Sequence, residues 1–116
     1  MTKKIICFDL DNVIVKTIKN NYKNSKPIKK NIKFINTLYE KNFYIKIFTS
    51  RYMGRNKQNC KKVMKKFKIT EKFLKENCNL KFNELIMCKP SYDIFVDDKA
   101  FGFKRNWSDK LRKLLL

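Results

Sequence analysis

The chain places its scarce acids at the ends of apolar runs. "IICFDLDNVIV" carries Ile5 to Phe8 straight into Asp9, with Asp11 two residues on, and "YDIFVDD" ends in Asp97 and Asp98. These are four of only six aspartates in 116 residues. Charge buried at a strand end is costly unless something compensates it. Clustered carboxylates repel one another unless a cation neutralises them. Two more apolar runs end in groups suited to an anion: "YIKIF" is followed by Thr49, Ser50 and Arg51, and "ELIMC" by Lys89. The chain has no histidine, and Cys7, Cys60, Cys78 and Cys88 form no CxxC pair. All-oxygen ligation of that kind favours Mg²⁺ over zinc or copper. A magnesium-held carboxylate facing a phosphoryl group can act as a nucleophile and form an acyl phosphate. A Ser-His-Asp triad is excluded by composition, and the lack of a C-x5-R pattern argues against a cysteine phosphatase.

The elements that must position these groups are legible from periodicity. Ile5 to Phe8 read as a first strand, 44–48 as a second, "ELIMC" (84–88) as a third and "YDIFV" (92–96) as a fourth. After Pro27, Ile28, Ile32, Ile35 and Leu38 recur on one helical face. Val63, Met64 and Phe67 suggest a short helix, and 70–77 another, with Thr70 a plausible N-cap. Ser108 is the expected cap of a last helix carrying Leu111, Leu114 and Leu115. Strands alternating with helices in this way predict an α/β fold: a small parallel sheet with helices on its faces. Ligands bind beyond the carboxyl ends of such strands, so both carboxylate pairs, the hydroxyls and the basic groups should converge on one edge. Neither a repeat nor a linker is visible, so residues 1–116 read as one domain.

Bulk properties narrow the function further. No apolar run of 18 residues exists, and the basic start meets Asp9 too early for a secretory signal, so a cytoplasmic protein with no membrane partner is expected. Cys7 and Cys88 lie in apolar runs and read as ordinary buried thiols. The net charge of +19 normally invites a nucleic-acid reading. Here the lysines lie on every segment and only four of the 29 basic residues are arginine, the preferred bidentate reader of phosphates. The charge is therefore read as a solvated basic surface rather than a polynucleotide track.

The ordered set resembles the haloacid dehalogenase (HAD) superfamily of aspartyl phosphatases. "FDLDNV" matches its first motif on Asp9, Asp11 and Val13; Thr49 matches the second, Lys89 in "CKP" the third, and "IFVDD" with Asp97 and Asp98 the fourth. Asn12 stands where the family often has Gly, and Asn also tolerates unusual turn geometry. The resemblance implies Asp9 as nucleophile, Asp11 as general acid and base, and Thr49 and Lys89 as phosphate-binding groups. Ser50 and Arg51 are further candidates for touching substrate. It implies Mg²⁺ held by Asp9, the Asp11 backbone carbonyl and Asp97, with Asp98 in support, and a strand order 4-1-2-3. "FTSRYMGRN" and "KPSYDIFVDDKAF" look like the small capless phosphatases of bacterial capsule and polysaccharide biosynthesis. The implied substrate is a small phosphorylated metabolite, a sugar, polyol or amino-alcohol phosphate. No segment is long enough for a large cap, so a flap from "VIVKTIKNNY" or a neighbouring subunit of a homo-oligomer would have to shield the site. The rival readings are a polynucleotide 3′-phosphatase, a receiver domain and a non-catalytic basic interaction module.

Overall fold

The computed structural model describes residues 3–116. It is an α/β fold: β1 (Ile5–Phe8), β2 (Val15–Lys16), β3 (Lys26–Pro27), α1 (Lys29–Glu40), β4 (Tyr44–Phe48), α2 (Cys60–Met64), α3 (Phe67–Lys72), β5 (Glu84–Ile86) and α4 (Trp107–Leu115). A 3₁₀ turn spans Tyr22–Asn24, and α3 runs on into a π-turn over Phe73–Asn77. A parallel sheet has the order β1-β4-β5, and β2 and β3 form a small antiparallel ribbon. The register sets Ile5 beside Tyr44 and Phe8 beside Ile47, then Lys46 beside Glu84 and Phe48 beside Ile86. No large cap is inserted between these elements, and no helix among the described residues is long and apolar enough to cross a membrane.

The apolar pattern explains the body of the fold. In β4 Ile45 and Ile47 are fully buried, as a central strand requires. Ile32 and Ile35, one turn apart, face the core from α1, and Asn31 Nδ2 donates to the Val13 carbonyl and fastens the helix to the turn after β1. Asn42, at φ +73°, ends that helix by taking the left-handed geometry that Asn accepts. Leu10, Ile14, Val15, Val63 and Leu74 complete the core around β4.

Several expectations are corrected. Residues 92–96 form no strand, so the order 4-1-2-3 is not realised. Tyr92, Ile94, Phe95 and Val96 are each 42–50% exposed, and α4 buries none of its residues. As a result β1 is an edge strand, not an interior one: Ile5 is 59% exposed. The reason lies in chain length, since only Pro90 and Ser91 separate Lys89 from Tyr92. Capping also differs. Thr70 lies inside α3, where its Oγ1 donates to the Lys66 carbonyl, and α4 starts at Trp107, before Ser108. Cys88 is not a free buried thiol but is disulfide-bonded to Cys60, whereas Cys7 is free and exposed.

Candidate functional site

The carboxyl end of the sheet gathers Asp9, Asp11, Thr49, Arg51 and Lys89. Asp9 follows β1 directly, and its Oδ1 accepts from the Leu10 amide at 2.8 Å. Lys89 is 6% exposed, and its Nζ lies 3.9 Å from Asp9 Oδ1. The same ammonium sits 5.0–5.6 Å from the ring centres of Phe48, Tyr92 and Phe95. Aromatic faces attract a cation and shed its water, which sharpens its pull on any anion placed beside it. Burial pushes the Asp9 carboxyl above the ordinary carboxylate range; the Leu10 amide and Lys89 oppose that shift, and Asp11 adds to it.

Thr49 is fully buried at the end of β4 and ties the strand ends together. Its amide donates to Ile86 O, its carbonyl accepts from the Lys89 amide, and its Oγ1 accepts from the Arg51 amide. Two neighbouring strands therefore fix where Lys89 leaves the sheet. The backbone bends sharply beside Asp11, Arg51 and Lys89: Asn12, Tyr52 and Cys88 have φ of +66°, +69° and +72°. Asn12 thus adopts the turn geometry that its residue type allows, while Tyr52 and Cys88 pay a steric cost for it. The Cys60–Cys88 disulfide anchors the bend at Cys88 to the start of α2.

Arg51 turns inward, toward Asp11. Its Nε lies 3.1 and 3.0 Å from the two Asp11 oxygens, its Nη2 donates to Oδ1 at 2.8 Å, and Nη2 also reaches Ser25 Oγ at 2.9 Å. The guanidinium lies over the rings of Tyr22 and Phe73, 4.6 and 5.2 Å from their centres. Thr17 Oγ1 donates to Asp11 Oδ1 at 2.5 Å and sits 2.7 Å from Ser25 Oγ. Asp11 is thus held by Arg51 from the β4 side and by Thr17 from the loop after β2. Ser50 is partly exposed beside this network.

Asp97 and Asp98 are not part of the cluster. Asp97 Oδ1 accepts from the Lys99 amide in its own turn, and Asp98 is exposed. Among the described residues no group of three or more His, Cys, Asp and Glu is placed to hold a metal ion. Asp11 spends its carboxylate on Arg51, which leaves Asp9 as the one strand-end carboxylate open to a cation. Mg²⁺ is commonly held by only one or two carboxylates and completes its shell with water and substrate phosphate oxygens, so Asp9 and the Asp11 backbone carbonyl are the groups here that could hold it, while Asp97, the third expected ligand, lies outside the cluster.

Sequence reading missed Thr17, Tyr22 and Ser25. They lie in a Lys- and Asn-rich loop with no periodicity, and only the folding back of β3 onto β2 brings Ser25, 8% exposed, against Arg51. Arg51 and Asp11 are both visible as candidates, but their pairing across forty residues is not.

No family model matches the chain, and no curated protein matches it. Its fold is similar to a crystal structure from Vibrio cholerae described only as a structural-genomics target. The TM-score is 0.75 at 21% identity, with 96% of this chain and 98% of that one covered. The likeness is one of fold, and the alignment is long enough to run into the segment after Lys89.

Proposed function

We propose that this chain is a phosphomonoester hydrolase of the HAD type that works through an aspartyl phosphate on Asp9. The observation that carries the reading is Asp9 at the carboxyl end of β1 with the buried Lys89 ammonium 3.9 Å away and Asp11 two residues on. A nucleophilic carboxylate, a fixed cation for the phosphoryl oxygens and a second carboxylate are the minimum for this chemistry. In the first step an Asp9 oxygen bonds to phosphorus and the bond to the leaving oxygen breaks. Asp11, when it carries a proton, delivers it to that oxygen. In the second step Asp11 takes a proton from water, whose oxygen attacks phosphorus and frees inorganic phosphate and the Asp9 carboxylate. Thr49 and Lys89 hold phosphoryl oxygens, Ser50 lies near enough to the edge to touch substrate, and Arg51 is a positioning residue for Asp11. Mg²⁺ is the cofactor proposed: Asp9 and the Asp11 backbone carbonyl would hold it, and when bound it would neutralise charge on the phosphoryl oxygens.

The substrate class proposed is a small sugar, polyol or amino-alcohol phosphate used in capsule or surface polysaccharide precursor synthesis. It rests on the motif resemblance. A cytoplasmic location is proposed from the want of a membrane-spanning run and of a secretory pattern in the sequence, and there the Cys60–Cys88 bond would be reduced. The test is release of phosphate from an aryl phosphate with and without Mg²⁺, followed by a panel of small phosphates and a 3′-phosphorylated oligonucleotide. Turnover in wild type and none in Asp9→Asn supports the reading; equal turnover in the two sinks it. Preference for the oligonucleotide, lost as salt rises, would favour the polynucleotide alternative that the +19 charge invites.

A further inference from the structure

The residues after Lys89 form an arm that meets the body through Ser91, hydrogen-bonded to Gln58, and through Tyr92 and Phe95 beside Lys89 Nζ, but that pairs with no strand of the sheet. It carries an apolar run, Tyr92–Val96, and the amphipathic α4, whose Trp107, Leu111, Leu114 and Leu115 lie on one helical face. Trp107, Leu114 and Leu115 are 44–73% exposed. Opposite this surplus stands a deficit. β1 is hydrogen-bonded on one side only, and Ile5 and Cys7, which share one face of the strand, are both exposed. The chain's radius of gyration, 15.4 Å, also exceeds the ~13 Å of a compact domain of this length.

The arm cannot close this gap within its own chain. The Lys89 amide bonds to Thr49 O, on the β5 side of β4 and, by the register, level with Leu10 just past the end of β1. The open slot beside β1 is three strand spacings away, about 14 Å. For a parallel strand to bring Asp97 level with Asp9, Tyr92 must start level with Lys4, about 20 Å back along the sheet. The two points are about 24 Å apart, and three residues fully extended reach only about 11 Å. An antiparallel strand is excluded as well, since its first residue would still have to cross the sheet's ~14 Å, beyond the ~11 Å reach.

We propose that two copies exchange their arms. Tyr92–Val96 of each copy adds as a parallel strand to the free edge of β1 in the other, and α4 covers the face carrying Ile5 and Cys7. This is a closed, two-fold arrangement in which the same surfaces meet twice. It pairs the bare edge of β1 and buries much of the exposed apolar run, leaving the short 92–96 strand as the new edge. It also delivers Asp97 and Asp98 of one copy to Asp9 of the other, so each site is built from two chains. That last consequence rests on the phosphatase reading; the exchange itself does not. Dimerisation opposes the +19 charge of each copy, so association should tighten as salt rises.

The first experiment is light-scattering mass of the full chain at about 0.3 M salt, which screens the charge to within about 6 Å. The expected mass is twice 14.1 kDa. Cys7→Pro removes an amide that points to the free edge, since alternate residues from Lys4, whose carbonyl accepts from Tyr44, face β4. It should give a monomer with unchanged circular dichroism. If that variant does not fold, Phe95→Cys serves in its place, because its new thiol should stand beside Cys7 of the partner copy. Mild oxidation of mixed ¹⁵N-labelled and unlabelled protein should then give mixed-label peptides joined through Cys7. A monomeric wild type, or a Cys7 linkage found only within single-label chains, overturns the exchange. Activity supplies the last arm. Asp9→Asn and Asp97→Asn, each inactive alone, should recover about a quarter of wild-type turnover when refolded together in equal amounts, since half the dimers are mixed and each has one intact site. No recovery, with wild type active, overturns the shared site. A crosslinked dimer without phosphatase activity in wild type would refute the enzyme reading and leave the exchange standing.

Discussion

Replacing Arg51 by Met should loosen the fold and the site together. The side chain is 3% exposed and the Asp11 side chain 21%, so the ion pair is largely dry. The change strips three donor contacts from Asp11 and one from Ser25. Breaking a buried pair costs about 3–5 kcal/mol, because the surviving charge is left without compensation. Thr17 still donates to Asp11, and some water reaches it, which places the cost near the lower end, about 3 kcal/mol. With an unfolding entropy of roughly 2.1 cal/mol/K per residue, a chain of this length loses about 12 °C in Tm. Phosphate release should fall by about 10²-fold, since Asp11 loses its placement. Arg51→Lys should not restore it, because a point ammonium cannot replace the two-pronged contact. A thermal or urea cycle with Asp11→Asn isolates the pair: the double variant should be more stable than the sum of the single losses predicts, by about 1.5 kcal/mol or more. Additivity within about 0.5 kcal/mol would show that the Arg51–Asp11 geometry contributes nothing of its own.

Lys89→Met should lower turnover by at least about 10²-fold, read as phosphate release, because it removes the fixed cation beside Asp9. Asp9→Asn should abolish both turnover and acid-stable labelling of the peptide holding residue 9; label on Thr49 or Ser50 would mean that another group is the nucleophile. Cutting the Cys60–Cys88 bond, by dithiothreitol or Cys60→Ser, opens a loop of sequence separation 28 and should lower the unfolding free energy in urea by about 3.5 kcal/mol. Burial pushes the Cys78 thiol from 9.0 up to about 11, so between those values the native state holds a proton that the unfolded state has lost. Stability should therefore decline as pH rises from about 9 to about 11, and Cys78→Ala should flatten the wild-type urea-midpoint slope over that range.

The sequence by itself determined the parallel body and the residues at its carboxyl edge. The apolar runs at 5–8 and 44–48 became β1 and β4, and that at 84–88 supplied the shorter β5 (Glu84–Ile86), because local pattern and core burial agree there. Asp9, Thr49 and Lys89 meet because each directly follows or closely trails a strand of one parallel sheet, which is a consequence of topology readable from order alone. Tertiary structure decided the partners. Arg51 read as a group for substrate, yet the fold buries it, and a buried guanidinium must be paired; Asp11 and Ser25 are what lies within reach. Periodicity could not reveal Ser25, whose loop has none. Residues 92–96 have every mark of a strand, β-rich, apolar and followed by acids, and none of its pairing. Local pattern reports what a segment can form; whether it finds an edge depends on how far the preceding link can reach, and here the two residues after Lys89 are too few to reach the free edge of their own sheet.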